Sequence, residues 1–360
     1  MTSGSPPVGG STGGRVVGGC GGVDDAALRA AFLDTAPLAA GDVVHLVGPS
    51  SPSTPESVER AVGYLEGYGL RVRTAPHILA RNDRIEFLAG TDEQRRDDLV
   101  AAWTDPEAAA VICVRGGDGA MRLLDGIDWP AMRRAALRRD GRPKLFTGSS
   151  DATAIHEALR FHLGVPTLFC PMVGNDVFRD SEIIREDVGH WLLEPWGGRW
   201  AVGPEAEAMA PGRAAGVFRG GNLSRVVGAL GAVEAGVVEA GPPPAGSAPE
   251  ILFLEDIGEN ISHLDGFMVQ LVRSGRLESV DGIVLGSWTD CGDLGPIRAM
   301  MADHLSGLGI PVLWQQGFGH HPDALSIPLN VPGVLDLTDP TVELRVARAG
   351  EPAAVGTGGS

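Results

Sequence analysis

The feature that most constrains this chain is a recurring order in which a short apolar run stops at a Gly-, Pro- or Ser-rich turn and a helix-patterned stretch follows. Val43 to Val47 is such a run and ends at Gly48-Pro49-Ser50-Ser51-Pro52. Ser53-Thr54-Pro55-Glu56 then has capping-box spacing, and Val58, Ala61, Val62 and Leu65 follow at i, i+3, i+4 and i+7, which predicts a helix. Leu70 to Thr74 reads as a strand, Glu93 to Trp103 as a helix, and Ala109 to Val114 as a fully apolar strand stopping at Arg115-Gly116-Gly117-Asp118-Gly119. Lys144 to Thr147 is a further strand, passing without a loop into a helix from Asp151 to Leu163. Strands alternating with helices over 41–175 predict an α/β fold with a parallel, doubly wound sheet, whose ligand groups gather at the strand C-terminal ends.

The pattern weakens over 176–213, where Trp191, Trp196 and Trp200 fall close together. That stretch reads as a linker or lid, and its tryptophans either pack it or form a flat wall for an aromatic or nucleobase-like group. A second α/β unit occupies 214–348. It comprises Gly220-Gly221-Asn222 before a helix, the strand Ile251 to Leu254, the helix Ile261 to Val272, the strand Gly282 to Leu285, the helix Pro296 to Leu305, and a strand-rich end from Pro311 to Val346. Residues 1–40 read as a flexible tail with a short Ala-rich helix from Asp24 to Leu38, and 349–360 as a second tail.

A chain of 360 residues suits two domains with a cleft between them. The net charge of −17 would repel phosphate backbones and anionic lipid, which argues against a nucleic-acid or membrane partner. No apolar run approaches the roughly 20 residues of a bilayer span. The first residues lack the apolar core of a secretory signal. Cys20, Cys113, Cys170 and Cys291 show no CxxC spacing, which argues against zinc and a disulfide framework and fits a cytoplasmic location.

Chemistry concentrates in Gly148-Ser149-Ser150-Asp151-Ala152, which joins a strand directly to a helix. Small residues two positions either side of Ser150 permit the tight turn of a nucleophile elbow, and the Asp151 N–H at the helix start would face a developing oxyanion. An ordinary Ser/Asp helix cap is the plain alternative. Gly117 is the candidate second oxyanion donor, since glycine lets a backbone N–H approach a ligand closely. Gly-x-Gly-x-x-Gly spacing is absent, so no dinucleotide cofactor is expected.

His320, in Gly317-Phe318-Gly319-His320-His321, is the candidate base, although a loop histidine is often merely solvated. Adjacent histidines do not easily face one ion, so no metal is expected at His320, His321 and Asp323. Glu255, directly after the strand Ile251 to Leu254, is the candidate orienter, preferred over Asp256 and Glu259, with a surface charge as the alternative. Arg115 is a candidate partner for a substrate carboxylate or a structural ion pair. Asp118, Ser149 and Asn222 complete the substrate-binding candidates.

In order, these segments resemble the LD-carboxypeptidase family of serine peptidases, which includes muramoyl-tetrapeptide carboxypeptidase and the microcin C immunity protein. The likeness covers most of 41–346. It runs through Gly48-Pro49-Ser50-Ser51-Pro52, Arg115-Gly116-Gly117 with Arg122-Leu123-Leu124, and Gly148-x-Ser150-Asp151. It continues through Gly220-Gly221-Asn222-Leu223-Ser224, Leu254-Glu255-Asp256-x-x-Glu259, and Gly319-His320 with Leu329 to Gly333. The resemblance implies a Ser150–His320–Glu255 triad with an oxyanion hole near Gly117 and Asp151. It also implies an N-terminal flavodoxin-like domain, a C-terminal swivelling α/β domain, and commonly a homodimer.

The chain departs from the family at Phe169-Cys170-Pro171, where His-Gly-Pro is usual, at Ser262 and Gly266, where Tyr and Arg are usual, and at Asp118, where an aromatic is frequent. These changes would reshape the pocket. The expected activity is therefore acyl transfer on a small peptide or peptide conjugate, by a carboxypeptidase or amidase. The competing readings are an acyltransferase or cyclase of specialised metabolism using the same triad, and a binding protein without turnover.

Overall fold

The computed structural model describes residues 25–232, 234, 248–339 and 341–351. Residues 1–24, with Cys20, and the tail after 351 lie outside the described residues. The strands are β1 (Val43–Val47), β2 (Arg71–Thr74), β3 (Ala108–Cys113), β4 (Leu145–Gly148), β5 (Thr167–Phe169), β6 (Glu207–Ala210), β7 (Arg213–Asn222), β8 (Glu250–Ile257), β9 (Val280–Thr289), β10 (Val312–Trp314), β11 (Ile327–Leu329), β12 (Pro332–Asp336) and β13 (Glu343–Val346). The helices are α1 (Asp25–Arg29), α2 (Pro55–Gly67), α3 (Asp92–Thr104), α4 (Trp129–Arg134), α5 (Thr153–Leu163), α6 (Asp176–Asp180), α7 (Glu182–Leu193), α8 (Leu223–Gly228), α9 (Ile261–Arg273) and α10 (Leu294–Leu305).

The strands form two sheets. The first runs β11-β5-β4-β3-β1-β2, with β2-β1-β3-β4-β5 mutually parallel, the flavodoxin-like order. The second runs β13-β12-β7-β8-β9-β10-β6, with β7 to β10 parallel and β6, β12 and β13 antiparallel additions. β3 is buried along its whole length, as its unbroken apolar sequence requires in a sheet covered on both faces. No helix among the described residues is long and apolar enough to cross a membrane.

Local chemistry sets the helix starts, with one shift. Thr54, not Ser53, caps α2: its hydroxyl accepts from Ser57 N, and Ser57 answers at Thr54 N. Thr91 and Gln94 make the same reciprocal box on α3. The helix expected from Asp24 to Leu38 ends at Arg29, and Leu28, Phe32, Leu33 and Leu38 are buried from a turn-rich path.

Residues 176–213 hold α6, α7 and β6. Trp191 and Trp196 are buried, edge to face with each other, and Trp196 also meets Phe32 edge-on. They are core residues and form no ligand wall; Trp200 is exposed.

Three features bind the two sheets together. β11 comes from the C-terminal half of the chain yet pairs antiparallel with β5 in the first sheet. A run of aromatic contacts links Phe169 to Phe318, Phe253 and Phe218. Finally, Glu157 on α5 pairs with Arg219 on β7 at 2.7 Å, Arg219 pairs with Glu250 on β8, and Glu250 pairs with Arg276 at 2.8 Å. Burial alone would neutralise the Glu157 carboxyl, yet the Arg219 and Arg160 guanidinium groups hold it well below its ordinary range.

Candidate active site

β4 is wholly buried and delivers the chain to an extended Ser149, then to Ser150 at φ 58°. That left-handed conformation costs a non-glycine residue about 1–2 kcal/mol and persists only where neighbours enforce it. Here Ala152 N donates to Ser149 O at 3.1 Å and Cys170 N to Gly148 O at 3.0 Å. His156 Nε2 also donates to Gly148 O at 3.0 Å, while its Nδ1 accepts from Thr167 Oγ1 at 2.8 Å. Burial drives His156 down to about 4, so it is a neutral brace beneath the turn. The turn continues as a single 3-10 turn, Ser150–Ala152, and then α5.

Asp151 points inward. Its Oδ2 accepts from Ala120 N at 2.7 Å, tying the Ser150 turn to the loop after β3, and burial raises its pKa. Ser51, on the loop after β1, fastens that loop as well: its N donates to Gly116 O, and its Oγ accepts from Asp118 N at 3.1 Å. Gly117 sits at φ 112°, where any Cβ would overlap the Ser51 hydroxyl, so glycine is required on both counts.

The second half of the site comes from the other sheet. Glu255 lies near the end of β8, where the register with β9 shifts, and it is fully buried. Its Oε2 accepts from His320 Nδ1 at 2.6 Å, and its Oε1 from Asn222 Nδ2 at 3.3 Å. His320 is carried on the loop after β10 and held at both backbone ends: its N–H donates to Ser287 Oγ, and its carbonyl accepts from Thr289 Oγ1. Gly319, at φ 92°, leaves no room for a Cβ because the Glu255 carboxylate occupies that space. Burial disfavours the imidazolium, but the charge and hydrogen bond of Glu255, helped by Asp256, outweigh it and raise His320 above its ordinary value.

Ser150 and His320 open on one cavity of about 370 Å³, together with Arg115, Gly116, Gly117, Asp118, Asn222 and Asp256. Among the described residues no hydrogen bond joins Ser150 to His320. Arg115 lines the cavity while its Nη1 donates to Pro52 O at 2.7 Å. Ser149 is buried and does not line it. The Asn222 side chain is committed within the protein: its Nδ2 donates to Glu255 and Asp256, and its Oδ1 accepts from Ser224 Oγ and Arg225 N. Met172, Asn175, Ser224, Arg225, Ile257 and Glu259 complete the wall. Of these, Ser224 and Arg225 were within reach of sequence reasoning, because they occupy the first helical turn after Asn222. Among the described residues no group of three or more His, Cys, Asp or Glu is placed to hold a metal ion.

The chain matches two family models in tandem, the LD-carboxypeptidase N-terminal domain over residues 44–170 and the LD-carboxypeptidase C-terminal domain over 215–335. A protein of Streptomyces coelicolor named as a candidate carboxypeptidase is 41% identical over 85% of this chain and 94% of its own length. The murein tetrapeptide carboxypeptidase of Pseudomonas aeruginosa is 28% identical over 81% of this chain and 92% of its own length. The crystal structure of muramoyltetrapeptide carboxypeptidase from Oxalobacter formigenes superposes with a TM-score of 0.69 at 26% identity, covering 85% of this chain and 98% of that one.

Proposed function

The chain belongs to the LD-carboxypeptidase family, and from that premise we propose that it is a serine carboxypeptidase that releases the C-terminal residue of a short peptide through an acyl-enzyme. The observation that carries the reading is the buried Glu255 paired at 2.6 Å with His320, whose ring shares a cavity with a Ser150 held at φ 58°.

With Nδ1–H committed to Glu255, the Nε2 of His320 is the free basic nitrogen. It takes the Ser150 proton as Oγ bonds to the scissile carbonyl carbon. The backbone N–H groups of Gly117 and Asp151 are assigned to the oxyanion. Collapse of the tetrahedral intermediate breaks the C–N bond, and the imidazolium returns its proton to the leaving amine. Water, deprotonated by the same nitrogen, then cleaves the ester and restores Ser150. Glu255 fixes the ring's tautomer and stabilises the imidazolium without taking the proton itself. Murein peptides are the substrate class suggested by the names of the Pseudomonas aeruginosa and Oxalobacter formigenes proteins.

The test is a fluorophosphonate probe followed by peptide turnover in ¹⁸O-water. Labelling at Ser150 in the folded protein, with one ¹⁸O entering the shortened peptide's new carboxylate, is expected. An unlabelled Ser150 overturns the proposed nucleophile, and a product without ¹⁸O moves the chemistry to an acyltransferase or cyclase.

A further inference from the structure

A residue cut from a peptide's C-terminus carries a carboxylate only three bonds from the attacked carbonyl, so the group that recognises it must stand beside the nucleophile. The cavity is hostile to that charge. Asp118, Asp256 and Glu259 line it, with Glu255 and Asp151 buried behind, in a chain of net charge −17. A carboxylate entering such a field needs a dedicated cation.

Two guanidinium groups line the cavity, those of Arg115 and Arg225. Arg115 is tethered through Nη1 to the Pro52 carbonyl. Arg225, on α8, is held differently. Its Nη2 donates at 3.0 Å to Asp118, whose side chain is 52% exposed, and its Nη1 lies 3.7 Å from Asp151 Oδ1, beyond hydrogen-bonding range. Among the described residues that buried Oδ1 has no hydrogen-bond partner. Arg225 therefore stands over the residue next to Ser150, within ion-pair range of the buried Asp151, while among the described residues its hydrogen-bonded carboxylate is the solvent-exposed Asp118. Exposed pairs of this kind contribute little to stability, whereas a guanidinium can bind a desolvated carboxylate through two parallel hydrogen bonds.

We propose that Arg225 is the specificity-determining residue that binds the terminal carboxylate of the substrate, exchanging Asp118 for it when the peptide enters. This rests on the carboxypeptidase reading and adds to it the residue that makes the enzyme act at a free chain end. Asp118 acts as the resident competitor, keeping the guanidinium extended over the cavity until a better acceptor arrives.

Binding, rather than turnover, separates this proposal from the catalytic one. The probes are a short peptide ending in L-Lys-D-Ala and the same peptide amidated at its C-terminus, titrated calorimetrically into the Ser150→Ala protein. The free carboxylate is expected to bind about ten- to a hundredfold more tightly than the amide, the range of a charged hydrogen-bond pair. Adding Arg225→Met is expected to abolish that preference, and Arg225→Lys to restore part of it, because charge remains but the fork geometry is lost. Adding Asp118→Asn instead is expected to tighten the carboxylate peptide, whereas a guanidinium serving only to clasp the two loops would give weaker binding. Equal affinity for the two peptides, or a preference that survives Arg225→Met, overturns the proposal. Failure of wild-type protein to label or cleave would overturn the catalytic reading while leaving this titration decisive for Arg225.

Discussion

The two halves of the proposed catalytic constellation are built by different means. The Ser150 turn is local: strand, left-handed serine, 3-10 turn and α5 follow one another between Leu145 and Leu163, and its braces Ala152, His156 and Cys170 lie within twenty residues. The Glu255–His320 pair is separated by 65 positions and exists only because β8, β9 and the loop after β10 are packed side by side. Local geometry supplies strain, and long-range packing supplies a hydrogen-bonded carboxylate–imidazole pair. The turn at Ser150 is made from a few adjacent residues; the Glu255–His320 pair needs a whole sheet.

The comparison breaks most sharply at the nucleophile. Ser150→Ala should lower turnover by about 10⁴-fold or more and abolish fluorophosphonate labelling, with circular dichroism and melting temperature little changed, because the turn's braces do not use the hydroxyl. Activity persisting in that variant would mean another nucleophile.

Glu255→Gln tests the long-range half and should cost about 10²–10⁴-fold in kcat, less than His320→Ala. It also carries a signed pH effect. As the proposed base, His320 would act in its neutral form, and it is held above the ordinary ~6.5 of a histidine, so kcat/KM should rise with pH through a value above ~6.5. Removing the carboxylate leaves only Asp256 opposing the effect of burial, and the acid limb should move to lower pH. A limb that stays in place would assign the orienting role elsewhere, with Glu259 next in line.

The junction between the halves is probed by Glu157→Gln. Breaking one partner of a buried ion pair costs about 3–5 kcal/mol of stability, readable as a fall in the urea midpoint, because Arg219 is left without its α5 partner. An unchanged midpoint would show that Glu250 alone satisfies Arg219. Gly319→Ala should cost less, about 1–3 kcal/mol for the strained φ, yet it should depress activity more than stability, since the new methyl displaces the Glu255 carboxylate. Measuring kcat beside the melting temperature separates the two effects.

What the sequence disclosed follows the same division. β1 was readable to the residue, and α3, α5 and α9 to within a few, because periodicity and caps are local. Ser150 was legible from its Gly148 and Ala152 flanks. Glu255 and His320 were legible as candidates from a strand end and a glycine-flanked loop, but their meeting was legible only through their order among family motifs, because neither segment states it. Asn222 lines the cavity as a substrate-binding candidate would, yet its side chain makes four hydrogen bonds inside the protein, a result of β7 and β8 being in register at Asn222 and Glu255. Trp191 and Trp196 look like a ligand platform in one dimension and are core in three. The cap of α2 moved by one residue because the Thr54 hydroxyl, not that of Ser53, reaches Ser57 N.

The strand Ile327–Leu329 has a consequence for biosynthesis. Until the ribosome has passed residue 329, the β5 margin of the first sheet has no neighbour on that side, leaving a row of backbone groups open to pairing with any other chain. A fragment stopping near residue 175 would carry the serine and the parallel sheet but an uncovered margin, and should be recovered largely as aggregate. A strand made more than 150 residues after β5 thus seals the sheet that β5 belongs to.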